Sequence, residues 1–161
     1  MATSIKHKSK TIARRDVLKA AGLGAVAVAA GSIFTSEAFA SPGKAKALLK
    51  KLTGGAEVKS GRVHLKLPEI AENGRTVPIN VKVDSPMTSK DYVKAIHVVS
   101  EGNPNPDVVS FNLTSSSGKA DISTRIRLGK TQNVLAVAVM SNGSVYMAKK
   151  KIKVTIGGCG G

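Results

Sequence analysis

Three runs in this chain place a side chain of one character at every second position: Val63, Leu65 and Leu67; Val77, Ile79, Val81 and Val83; and Ile122, Thr124, Ile126 and Leu128. Between them stand His64 and Lys66, then Pro78, Asn80 and Lys82, then Ser123, Arg125 and Arg127. Successive side chains of a strand point to opposite faces, so a period of two predicts half-buried strands over these residues. Further strand candidates cover 94–100, 108–114, 133–141 and 145–156. Turn chemistry separates the runs at Asn73-Gly74, at Gly102-Asn103-Pro104-Asn105-Pro106, over 115–118 and at Asn142-Gly143. The last of these predicts a hairpin between the two final strands, of type I′ with positive φ at both central residues. The run 134–140 is apolar on both faces, which suits either a core strand or an interface.

Seven short strands with regular turns and no βαβ alternation point to an antiparallel sandwich of immunoglobulin-like architecture. At 161 residues the chain has room for one modest domain. Three Phe, two Tyr and no Trp leave Val, Ile, Leu and Ala to build the core, a poor basis for a large cofactor pocket. Ahead of the strands, Ala45, Leu48, Leu49 and Leu52 fall at i, i+3, i+4 and i+7, so 42–52 reads as a short amphipathic helix stopped by Gly54-Gly55.

The first forty residues follow the order of an export signal: charged, apolar, small. Lys6, Lys8, Lys10, Arg14 and Arg15 supply the charge, 20–34 carries none, and Ala38-Phe39-Ala40 supplies the A-x-A pattern, with cleavage expected before Ser41. Fifteen uncharged residues fall short of the roughly 20 that a membrane span needs. Arg14-Arg15, followed by Leu18 and Lys19, resembles the bacterial twin-arginine signal, with Val17 where Phe is common. The expected organisation is therefore a cleaved signal over 1–40, a helix and linker over 41–55, a sandwich over 56–156 and a terminal arm over 157–161. A periplasmic location follows from the twin-arginine reading.

The full chain holds 25 Lys and Arg against 10 Asp and Glu. Six basic residues (Lys6, Lys8, Lys10, Arg14, Arg15, Lys19) and two acids (Asp16, Glu37) leave with the signal, so 19 and 8 remain, net +11 over 121 residues. A basic surface attracts anions, acidic proteins, anionic membrane or nucleic acid. Export, the lack of a DNA-binding motif and the scarcity of stacking aromatics set nucleic acid aside. His64 and His97 sit inside strand patterns without a second ligand or nucleophile beside them, and the acids are scattered. No catalytic group, metal site or cofactor site is expected, and the chain does not read as an enzyme. The sequons at Asn112 and Asn142 are read as chance.

What remains is the terminus Gly157-Gly158-Cys159-Gly160-Gly161, which holds the chain's one Cys. Ile152, Val154 and Ile156 occupy one face of the last strand and Lys151, Lys153 and Thr155 the other. Glycines add conformational freedom and no obstructing side chain, and Cys159 lies at most roughly 10 Å beyond Ile156. A lone thiol invites dimerisation and over-oxidation in an oxidising compartment, which favours a function over an accident. No neighbouring group activates it, so at an ordinary pKa it suits an attachment point that partner enzymes activate.

With this terminus, the twin-arginine signal and the stretch 67–87, the chain resembles the SoxY family, the sulfur-carrying subunits of SoxYZ complexes in bacterial thiosulfate oxidation. The resemblance implies that Cys159 bears the sulfur substrate and that Gly157, Gly158, Gly160 and Gly161 form a swinging arm. It also implies a heterodimer with SoxZ, and visits to the SoxAX cytochrome for thiosulfate attachment, to the SoxB hydrolase for sulfate release and to a sulfane dehydrogenase where one is present. Two other readings use the same terminus. A ubiquitin-like sulfur carrier would load the Gly161 carboxylate, and an exported noncatalytic sandwich would dimerise through Cys159.

Overall fold

A computed structural model describes residues 42–157. Among the described residues one helix, α1 (Pro42–Leu52), precedes nine strands: β1 (Val58–Lys59), β2 (Val63–Lys66), β3 (Ile70–Asn73), β4 (Val77–Val83), β5 (Val93–Ser100), β6 (Asp107–Asn112), β7 (Asp121–Ile126), β8 (Gln132–Met140) and β9 (Val145–Ile156). A 3-10 turn spans Ser115–Ser117.

The strands form an immunoglobulin-like sandwich of two sheets. The larger runs β1-β9-β8-β5-β6 with β3 also on β9, and the smaller runs β2-β4-β7. Alternation decides the packing. On β4, Val77, Ile79, Val81 and Val83 are buried while Pro78 and Lys82 are exposed. These valines and Ile79 meet Val93, Ile96 and Val98 of β5, Val134, Ala136, Ala138 and Met140 of β8 and Ile152 of β9 in one cluster between the sheets. Each fully buried Val or Ile contributes about 1.5 to 3 kcal/mol, so the aliphatic cluster holds the sandwich without Trp. The run 134–140 thereby resolves as a core strand. Its even positions face the sandwich interior, and Leu135 packs with Val99 under Ala45 of α1, with Leu48, Leu49 and Leu52 at the rim.

Three features depart from the expected pattern. Seven strands become nine among the described residues, because β1 and β3 add themselves to β9, and both pair with it in parallel. A two-residue strand and a four-residue one carry too little periodicity to stand out. The β8–β9 hairpin is not type I′. Only Gly143 has positive φ, at 82°, and Asn142 does not. Gly143 N–H donates to the Met140 carbonyl (3.0 Å) and Met140 N–H to the Ser144 carbonyl (2.9 Å), the bonding of a three-residue loop that closes on a glycine bulge. Asn142 Oδ1 instead accepts from Ser144 N–H (3.0 Å) and Ser144 Oγ (2.7 Å), a bond its side chain can make from an ordinary turn conformation. The third feature is positive φ at two non-glycine residues, Arg62 and Met87.

Among the described residues no helix is long and apolar enough to cross a membrane.

Candidate functional site

The last strand walks out of the core. Ile152 is fully buried, Val154 half-buried and Ile156 68% exposed, while Lys151, Lys153 and Thr155 face solvent. The shared apolar face expected for Ile152, Val154 and Ile156 therefore holds at its start and opens at its end. The reason lies in the neighbours. Pairing between β8 and β9 ends at Gln132↔Ile152, so the residues beyond Ile152 have no β8 partner.

Other groups take over. On one side β3 runs parallel to the strand end, pairing Ile70↔Lys153, Ala71↔Val154 and Asn73↔Ile156. Thr155 Oγ1 donates to the Glu72 carbonyl at 3.0 Å, and Gly74 N–H donates to the Ile156 carbonyl at 2.7 Å. On the other side Thr131 Oγ1 accepts from Val154 N–H at 3.0 Å. Leu128 N–H donates to the Gly74 carbonyl at 2.7 Å, which ties the two sides together. At the final described position, a Cβ on Gly157 would overlap the carbonyl oxygen of Gly129, an approach that only glycine permits.

The loop that makes these contacts is itself held by two polar side chains. Asn103 Oδ1 accepts from Gly129 N–H and from Gln132 Nε2, both at 2.9 Å, and Asn103 Nδ2 donates to the Arg127 carbonyl at 2.8 Å. Buried Gln132 also donates to the Lys130 carbonyl (3.1 Å) and accepts from Gly102 N–H (2.6 Å). In the sequence Asn103 is one residue of a turn and Gln132 one residue before a strand. A polar Gln beside the apolar run 134–140 is the signal the sequence offers, and only tertiary contact shows that it is buried and what it binds.

Of the residues expected to act, Gly157 alone is described. Cys159, Gly158, Gly160 and Gly161, and the signal residues Arg14 and Arg15, lie outside the described residues. Neither histidine joins this region. His64 Nε2 lies 2.6 Å from Asp84 Oδ2 on the exposed side of β2, and the hydrogen bond holds the Asp84 carboxyl below its ordinary range. His97 Nδ1 lies 2.7 Å from Ser110 Oγ across β5 and β6, and burial pushes its pKa below the ordinary 6.5 against the pull of Asp107. Glu101 binds Lys149 at 2.7 Å and Asn133 at 2.6 Å. Burial raises its pKa, and these two hydrogen bonds with the lysine's charge outweigh that and hold it low. Among the described residues no three His, Cys, Asp or Glu side chains gather as a metal site.

Comparison with known proteins places this geometry. Residues 49–159 match the family model described as sulfur oxidation protein SoxY. The structure of the sulfur carrier protein SoxY from Chlorobium limicola f thiosulfatophilum superposes with a TM-score of 0.61 at 31% identity, covering 72% of this chain and 100% of that one. The superoxide reductase neelaredoxin from Ignicoccus hospitalis gives a TM-score of 0.52 at 18% identity, over 74% of this chain and 98% of that one, a likeness of fold alone. No curated protein matches. The matched span takes in α1 from Leu49 onward, every strand, the loop under Gly157 and position 159, and the chain belongs to the SoxY family of sulfur oxidation proteins.

Proposed function

We propose that this chain is a periplasmic sulfur carrier, a carrier rather than a catalyst, that holds thiosulfate-derived intermediates covalently on Cys159 and presents them to partner enzymes. The observation that carries the reading is the SoxY family match, which runs through residue 159. The 31% identical relative, a sulfur carrier protein by description, supports it.

The chemistry needs one sulfur and supplied partners. Joining the Cys159 thiolate to the outer sulfur of thiosulfate forms an S–S bond and releases two electrons, which a SoxAX-type cytochrome takes up. Water then cleaves the S–SO3 bond at a SoxB-type hydrolase, releasing sulfate and two protons and leaving a persulfide on Cys159. A sulfane dehydrogenase, where present, oxidises that remaining sulfur. The intermediates are anionic, and the mature net charge of +11, from 19 basic and 8 acidic residues, offsets repulsion among passenger, carboxylate and acidic partner surfaces. Glycines on both sides of Cys159 leave the sulfur unobstructed for a narrow pocket. A SoxZ partner completes the proposed heterodimer, and export follows the twin-arginine route through Arg14 and Arg15.

The test is thiosulfate-dependent turnover in a reconstituted system with the full mature chain and with Cys159→Ser. Loss of turnover in the Ser variant, with the sandwich intact by circular dichroism, is the expected result. Turnover that survives the change refutes Cys159 as the carrying residue.

A further inference from the structure

We propose that Asn103 and Gln132 are positioning residues for the carrier terminus: through the 127–132 loop they fix Gly157 as a foothold, from which Cys159 is presented. This rests on the carrier reading of Cys159.

The contacts form a chain. Asn103 grips the loop at the Arg127 carbonyl and the Gly129 N–H, and Gln132 grips it at the Lys130 carbonyl while bonding Asn103 and Gly102. The gripped loop then meets the end of β9 twice directly and once through Gly74. Gly129 abuts Gly157, Thr131 holds Val154 N–H, and Leu128 holds Gly74, which holds the Ile156 carbonyl. Gly157 thus differs in role from the other terminal glycines. Its missing Cβ is required by packing against a carbonyl, not by freedom of motion.

Fixing the root has a consequence for delivery. With Gly157 held, two residue steps separate the last fixed position from Cys159. If the β3 pairing of Lys153, Val154 and Ile156 gave way with the loop and the strand end frayed back to Ile152, where β8 pairing stops, seven steps would separate them. Effective concentration at a docked pocket falls roughly as the −3/2 power of tether length, so fraying lowers it about sixfold.

The experiment compares Asn103→Ala, Asn103→Asp, Gly157→Ala and Gly158→Ala in the full mature chain. Three quantities are read: the rate of thiosulfate loading onto Cys159 with the SoxAX-type cytochrome, alkylation of Cys159 by iodoacetamide, and amide hydrogen exchange at Val154 and across β5. Asn103→Ala and Gly157→Ala should lower kcat/KM for loading by up to about sixfold, the limit of complete fraying, with kcat at saturation nearly unchanged. Exchange at Val154 should quicken, while β5 exchange and alkylation stay as in wild type. Asn103→Asp keeps the oxygen that accepts from Gly129 and Gln132 and should recover part of the loss, and Gly158→Ala should act more weakly than Gly157→Ala. Unchanged loading in Asn103→Ala overturns the proposal. So do equal effects of the two glycine changes, or slow loading accompanied by faster exchange throughout β5. A wild-type chain that takes no sulfur on Cys159 refutes the carrier reading instead, and Val154 exchange in Asn103→Ala still decides whether the root is held.

Discussion

Replacing Gln132 with Leu isolates the polar support of the 127–132 loop at nearly constant volume. Gln132 is 6% exposed and makes three hydrogen bonds, to Gly102 N–H, Asn103 Oδ1 and the Lys130 carbonyl. Each contributes about 1 kcal/mol net, and the buried Gly102 N–H left without a partner costs about 1 to 3 kcal/mol more. The more apolar leucine returns about 1 kcal/mol through burial. The sum is a loss of about 3 to 5 kcal/mol, a large share of a domain's usual stability. No alternative packing relieves it easily, because Gly102 already lies so close that a Cβ there would stand 2.7 Å from Gln132 Cβ. Urea unfolding followed by circular dichroism measures the change, with an unaltered slope m showing that the midpoint shift is a change in stability. A loss below about 1 kcal/mol would refute the reasoning, since it would mean that the three bonds are replaced by water or are not made.

Three further outcomes are expected. Replacing Arg14 and Arg15 with Lys should leave precursor in the cytoplasm, because lysine keeps the charge but lacks the planar guanidinium; undiminished periplasmic protein on fractionation removes the twin-arginine reading. Without reductant the purified chain should form dimers through Cys159, its one thiol, and Cys159→Ser should abolish them on non-reducing gels. Burial lowers the His97 pKa, so between that lowered value and 6.5 the unfolded chain binds a proton that the folded chain does not. Stability should therefore be complete above pH 6.5, fall as pH drops through that window and level off beneath it, and His97→Gln should remove this part of the pH slope in urea titrations; an identical slope in the variant would show that other groups carry it.

The legibility of this fold follows the range of each interaction. Helix α1 and strand β9 appear in the sequence with the bounds they have in the structure, because capping glycines and an Asn-Gly turn mark their limits locally. Strands β4 and β5 are legible for the same reason, alternation in one and a β-branched run in the other. β1 and β3 are not. Val58 and Lys59 are both exposed, and of the four residues of β3 only Ala71 is buried, so their strand character comes from β9, which lies far along the chain. The hairpin location was legible at Asn142-Gly143, but the turn type was not, since Ser141 joins the loop and Asn142 binds Ser144 instead of adopting positive φ. At the candidate site, Cys159 and its glycines are legible as chemistry. The grip on Gly157 is not, because it passes through a turn Asn and a pre-strand Gln whose partners are set by tertiary structure.

Mass spectrometry of the intact C-terminal peptide, taken from native periplasm under nonreducing conditions, tests the central claim most directly. The carrier account predicts sulfur adducts on Cys159, thiosulfonate and persulfide among them, with an unmodified Gly161 carboxyl. A thiocarboxylate at Gly161, or Cys159 found only in a Cys159 to Cys159 disulfide, would contradict it.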